Sequence, residues 1–246
     1  MLISYILVLL IGLCLGSFLN VVIYRLPREF SLVFPSSSCP HCQHKLKWFH
    51  NIPLFSFIFL RGKCAFCHQK ISLRYPVVEI ITGLVGIFLL WKFGLTLSFA
   101  TACIFSLILI VLIFIDLEHQ LLPDILTLSL LWLGLLTSLF SVYTDSHSAI
   151  IGAVTGYLSL WLIANIYEFF THREGMGYGD FKLLAALGAW AGWQSLINIV
   201  LISSITGAVI GVFLLITKKA NTQTPIPFGP FLAIAGFIVL FCLTQS

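Results

Sequence analysis

Six apolar runs, each near the length that carries a helix through a bilayer, dominate the sequence. They are Leu2 to Tyr24, Pro76 to Trp91, Leu95 to Ile115, Ile125 to Tyr143, Ala149 to Phe170 and Phe228 to Leu243. A helix needs about 20 apolar residues to cross hydrocarbon. A further apolar stretch, Phe181 to Thr217, is too long for one crossing and slightly short for two ideal ones. Composition agrees: 59% of the 246 residues are hydrophobic and 9% are charged, against about 25% charged in soluble domains. Such a chain has too little polar surface for a water-soluble globule. It is also too hydrophobic for disorder. The fold class that remains is an all-α polytopic membrane protein.

The basic residues set direction. Arg25, Arg28, Lys45, Lys47, Arg61, Lys63, Lys70 and Arg74 lie between the first two runs, Arg173 and Lys182 form a second group, and Lys218 and Lys219 a third. Only Lys92 stands apart. Loops rich in Lys and Arg stay in the cytoplasm. Twelve of the thirteen can share that face if Phe181 to Thr217 crosses twice, turning near Trp193-Gln194-Ser195. The expectation is about eight transmembrane helices, with both termini outside and the basic loops in the cytoplasm. The charges of the first run follow it, the reverse of a cleaved secretory signal, so it reads as a retained span. Three parts are expected: residues 1–25 as a first transmembrane helix, 26–75 as a cytoplasmic domain, and 76–246 as a transmembrane domain that would carry the chemistry.

Within the loop, Cys39-Pro-His-Cys42 and Cys64-Ala-Phe-Cys67 are two C-x-x-C pairs separated by 21 residues. Two turns that each present a pair of thiolates close a tetrahedral shell around zinc. A cytoplasmic position disfavours disulfides. Four sulfurs leave no open coordination site, so the expected Zn2+ is structural. His41, His44, His50 and His68 flank the cysteines and offer substitute ligands. Cys14, Cys103 and Cys242 sit singly in apolar runs and read as small buried hydrophobes.

Acidic residues number nine, so their places carry information. Asp116 ends the apolar run Leu107 to Ile115, at a helix C-terminus where the dipole opposes a negative charge. Asp180 follows Gly175-Met-Gly-Tyr-Gly179 and opens another apolar segment. Both fall at the same membrane edge. Asp180 has a competing reading as a helix N-cap, as does Asp124 after Pro123. Two carboxylates about 4 Å apart in an effective dielectric of about 20 repel by about 4 kcal/mol. Such a pair holds one proton between them, giving one acid and one base. Peptide hydrolysis needs that division: one group draws a proton from the attacking water while the other polarises the carbonyl. Gly177 and Gly179 would let backbone approach a substrate or the partner acid closely.

These stretches resemble the type IV prepilin peptidases, intramembrane aspartic enzymes of the G-x-G-D class. The likeness is carried by Gly16-Ser-Phe-Leu-Asn-Val-Val-Ile-Tyr-Arg-Leu-Pro27, the paired C-x-x-C loop, Asn51-Ile-Pro53, Ile71 to Glu79, Asp116 to Asp124, Gly175-Met-Gly-Tyr-Gly-Asp-Phe-Lys182 and Ile226-Pro-Phe-Gly-Pro-Phe231. The resemblance implies that Asp116 and Asp180 are the catalytic pair. It implies substrates, too: type IV prepilins and type II secretion pseudopilins, cut after the Gly that ends a short basic leader. Members with the cysteine loop also N-methylate the new terminus with S-adenosylmethionine, which no motif read from the residues predicts. The implied setting is the bacterial inner membrane, with the active site toward the cytoplasm, the lipid bilayer as surroundings and no nucleic acid as partner. Glu79, just inside the second span, reads either as a contact for a basic leader or substrate amine, or as a partner of Arg74 or Lys70. Two other readings stay open: a proton- or cation-coupled transporter using its acids, and a zinc-ribbon scaffold for pilus or secretion assembly.

Overall fold

The computed structural model describes residues 2–39, 41–46, 49, 52–172, 177–217 and 226–243. Lys47, His50, Asn51, Arg173, Gly175, Met176, Lys218 and Lys219, all of which enter the sequence arguments above, lie outside the described residues. Among the described residues the regular structure is helical, and β pairing is limited to two isolated bridges, Ser38 with Lys45 and Lys63 with Lys70. The helices are α1 (Leu2–Arg25), α2 (Phe55–Phe59), α3 (Arg74–Phe93), α4 (Leu97–His119), α5 (Asp124–Ser138), α6 (Ser146–Thr171), α7 (Tyr178–Ala191), α8 (Leu196–Ile216) and α9 (Gly229–Ile238). A π-helical turn, Val239–Leu243, continues α9.

Among the described residues, five helical segments, built on α1, α3, α4, α6 and α8, are long and apolar enough to cross a membrane. The other apolar helices described, α2, α5, α7 and α9, are shorter. α7 has 14 residues, about 21 Å of rise, against roughly 30 Å of hydrocarbon. The stretch expected to cross twice does break where the turn was placed: α7 stops at Ala191, Gly192 takes a φ of +78°, and a 3-10 turn over Trp193–Ser195 leads into α8. Gly192 fits there because a side chain would be strained at that φ.

The chain divides into two compact units, residues 1–111 and 112–246. In the first, α1 and α3 pair antiparallel through small residues. A Cβ on Gly12 would lie 2.8 Å from Gly83 Cα, and one on Gly16 2.7 Å from Glu79 Cα. Four residues on, the Asn20 amide donates to Tyr75 O at 3.1 Å and to Gly16 O at 3.2 Å. Close backbone approach is how helices gain packing energy in lipid, where Leu against Leu gains nothing over Leu against acyl chain.

In the second unit α7 is the inner helix. Phe181 and every residue from Leu183 to Trp190 are buried. α6 crosses it where Gly152 meets Gly188 and Gly156 meets Leu184 O. Against α5, the Trp190 indole N–H donates to Leu130 O at 2.8 Å beside Gly134, and Gly236 of α9 takes Leu187. A helix apolar on all sides belongs inside a bundle. Cys14 and Cys242 correct an expectation: both are exposed and Cys103 is half-buried, because in a membrane protein an apolar side chain is as much at home facing lipid as facing the core.

Candidate active site

α4 carries Asp116 in its last turn. Gln120, in the left-handed region at φ +52°, closes the helix by donating its N–H to Asp116 O at 2.9 Å. The carboxyl group is buried, 5% exposed. The backbone N–H of Gly229, at the start of α9, donates to it. Asp116 Oδ2 has no hydrogen-bond partner. A buried acceptor left open in this way is costly, and such a site wants a water or a substrate group.

Asp180 lies in the first turn of α7, half-buried, within electrostatic reach of Asp116. Neither capping reading holds. Gly177 is the N-cap of α7 and Pro123 that of α5, and neither helix has a side-chain cap. Asp180 falls too far inside its helix to act as its cap. Asp124, in the first turn of α5, instead accepts from Lys182 Nζ at 2.6 Å, which ties the starts of α5 and α7 together.

One apolar side chain links the surroundings of the two acids. A Cβ on Gly179 would lie 2.7 Å from Leu122 Cβ, and a Cβ on Gly229 would lie 3.1 Å from Leu122 Cδ1 and 2.5 Å from Asp116 Oδ2. Leu122 is buried at 8% exposure, wedged between the glycine beside one acid and the glycine beside the other. Gly177 contributes differently: a Cβ there would come within 3.9 Å of Asp180 Oδ2 and meet nothing closer. The structure thus brings Asp116, Asp180, Gly177 and Gly179 to one place. It adds Gly229 and Leu122, which residue-by-residue reading missed. The signal available for Gly229 was a glycine set between Phe228 and Pro230 at a helix start.

Glu79 belongs to the first unit. Its Oε2 accepts the Leu54 N–H at 2.8 Å, and the Ser17 side chain bonds it as well.

The four cysteines do converge. Cys39, Cys42, Cys64 and Cys67 place their sulfurs within 4.8 Å of one another. Cys39 and Cys67 sulfurs are 3.9 Å apart, close to the roughly 3.8 Å edge of a tetrahedron with metal–sulfur bonds of about 2.3 Å. The residues fit a divalent metal of this kind. Both halves are built alike. Gln43 N–H donates to Cys39 O and His68 N–H to Cys64 O, with φ of +56° and +58°, while Cys39 N–H and Cys64 N–H donate to His44 O and Gln69 O. Backbone N–H groups of Cys67 and Phe66 aim at Cys64 and draw its thiol down to about 7, while Cys67, despite the Gln69 backbone N–H, is pushed up to about 11 by burial and the neighbouring sulfurs. Among the described residues no histidine joins the cluster.

Two family models match the chain: the bacterial peptidase A24 N-terminal domain over residues 10–93, and the type IV leader peptidase family over residues 103–212. A prepilin leader peptidase/N-methyltransferase of Stutzerimonas stutzeri is 47% identical over 94% of this chain and 88% of its own length. Proteins of the same name from Pseudomonas aeruginosa and Legionella pneumophila are 45% and 44% identical, over 94% and 96% of this chain and 88% and 91% of theirs. No solved structure matches. With both halves of the chain matched and relatives of this identity covering nearly its whole length, the protein belongs to the type IV leader peptidase family.

Proposed function

We propose that this protein is a membrane aspartic peptidase that removes the leader of prepilins and then methylates the new N-terminus, with Asp116 and Asp180 as its catalytic pair. The observation that carries the reading is the buried, open Oδ2 of Asp116 within electrostatic reach of Asp180. Water attacks the scissile carbonyl carbon. Asp116, its carboxylate held by the Gly229 N–H, takes the water proton on Oδ2. Asp180 donates its proton to the carbonyl oxygen. As the tetrahedral intermediate collapses, the C–N bond breaks, Asp116 returns its proton to the departing amine, and Asp180 recovers a proton from one hydroxyl of the intermediate as the carboxyl group forms. The products are a leader ending in a carboxylate and a mature chain with a free amine. Gly177 and Gly179 leave space for the substrate backbone beside Asp180.

The methyl donor implied by the relatives' name is S-adenosylmethionine, which would supply a methyl group to the freed amine nitrogen as that nitrogen gives up a proton. Cys39, Cys42, Cys64 and Cys67 would hold a structural zinc. Pseudopilins of type II secretion join prepilins as substrates, cut after the Gly that ends the basic leader. The active site faces the cytoplasm, where the basic loops fall. Membership of a peptidase family disfavours the transporter and scaffold readings.

The experiment is incubation of purified protein with a prepilin, with and without S-adenosylmethionine, followed by mass measurement of the product's N-terminus. A leader-free product in both samples, heavier by one methyl only when the donor is present, is the expected result. An intact prepilin after incubation with folded protein would overturn the reading.

A further inference from the structure

The helix α2 turns three of its four large apolar side chains outward. Phe57 turns in over Gly62, whose φ is +67° and whose added Cβ would stand 3.0 Å from Phe57 Cζ. The Gly62 N–H closes this turn onto Phe57 O at 2.8 Å, and Ile71 N–H donates to Gly62 O at 2.8 Å. Phe55, Ile58 and Phe59, spaced to share one helix face, are instead 68%, 72% and 91% exposed. Three large apolar side chains adjoining in this way are rare on a surface that meets only water.

Two further observations say what covers them. The first is depth. Leu54, the residue before α2, takes a φ of +59°, and its N–H is held at 2.8 Å by Oε2 of Glu79. Glu79 lies five residues into the membrane-spanning helix α3, which starts at Arg74. That is about 7.5 Å along the helix, within the 5–10 Å or so to which an interfacial helix sinks its apolar face. The second is charge. From Phe30 to Val78 the chain has six basic residues, Lys45, Lys47, Arg61, Lys63, Lys70 and Arg74, and no acidic one. Arg61, Lys63 and Lys70 are exposed. Phosphate headgroups attract such a segment.

We infer that α2 is an interfacial anchor whose Phe55, Ile58 and Phe59 enter the headgroup–acyl boundary of an anionic leaflet, with the surrounding basic residues on its phosphates. The anchor is independent of the acid pair, and Glu79 acts in it as a positioning residue that fixes the depth of α2. The test uses the full-length protein in vesicles of phosphatidylglycerol and phosphatidylcholine. A photoreactive p-benzoylphenylalanine replaces Phe59, and in a separate control it replaces Leu84, an exposed residue in the middle of α3. After irradiation, mass analysis counts lipid adducts. Position 59 should capture lipid within about threefold of the control, and its yield should fall by about threefold or more in pure phosphatidylcholine. Lipid captured at position 84 but not at 59 would overturn the anchor. So would capture of added prepilin at 59 in place of lipid. Equal yields in the two vesicles would overturn the choice of an anionic leaflet.

Discussion

Asp116 is held by backbone on one side and open on the other, and that asymmetry makes its chemistry testable. Asp116→Asn and Asp180→Asn each keep shape and remove one protonation partner. Each should lower cleavage by about 10²- to 10⁴-fold while thermal unfolding stays close to that of the parent, as single-turnover assays and melting curves on the same preparations would show. Substantial residual cleavage in either would move the role to another acid. Gly229→Ala puts a methyl 2.5 Å from Asp116 Oδ2. It should cut kcat more than it raises KM, and cost about 1–3 kcal/mol as overpacking. The acids stood out in the sequence because they are scarce and sit at the ends of apolar runs. Their caps did not, since a shift in helix register of one residue at Asp124 and three at Asp180 separates a cap from a first-turn acid. Gly229 was hidden for a different reason: its partner is 113 residues away, and only the folded chain sets the start of α9 beside Asp116.

Among the elements, α7 has the least room for change. Its crossing with α6 brings Gly152 onto the carbonyl of Gly188, so that a Cβ at either position presses into backbone. Gly152→Ala should therefore lose about 3 kcal/mol or more, seen as a collapse in the yield of folded protein in detergent. α6 begins with a conventional cap: Asp145 Oδ2 accepts the Ser148 N–H at 3.0 Å, which holds its carboxyl below the usual range. That contribution is full above about pH 4 and is lost as pH falls through the lowered value. Asp145→Ala should melt a few degrees lower than the parent at pH 7, and the gap should close in strong acid. Helix positions were legible because apolar runs and Gly-rich breaks mark them. Helix lengths were less so. The run expected to reach Tyr143 ends at Ser138 in α5, since apolar residues continue into turns that lipid or protein covers.

At the scale of the whole molecule, the acids with Leu122, Gly179 and Gly229 fall in one compact unit, and the four cysteines in the other. Cys64→Ser should lower the zinc retained on purification, measured by elemental analysis, and destabilise the first unit. Cleavage should survive better than methylation in the same sample; equal loss of both with folded protein retained would contradict that division. The two C-x-x-C pairs announced their cluster by spacing alone, whereas nothing in the sequence showed that their two turns share one backbone design. A last consequence concerns the inner helix. From Leu183 to Trp190, α7 offers no polar side chain except an indole N–H already bonded to Leu130 O. A cell that stores energy as a proton gradient risks a leak wherever it puts exchangeable acids into its membrane. Along α7, the run behind Asp180 gives a proton no side chain to hop to.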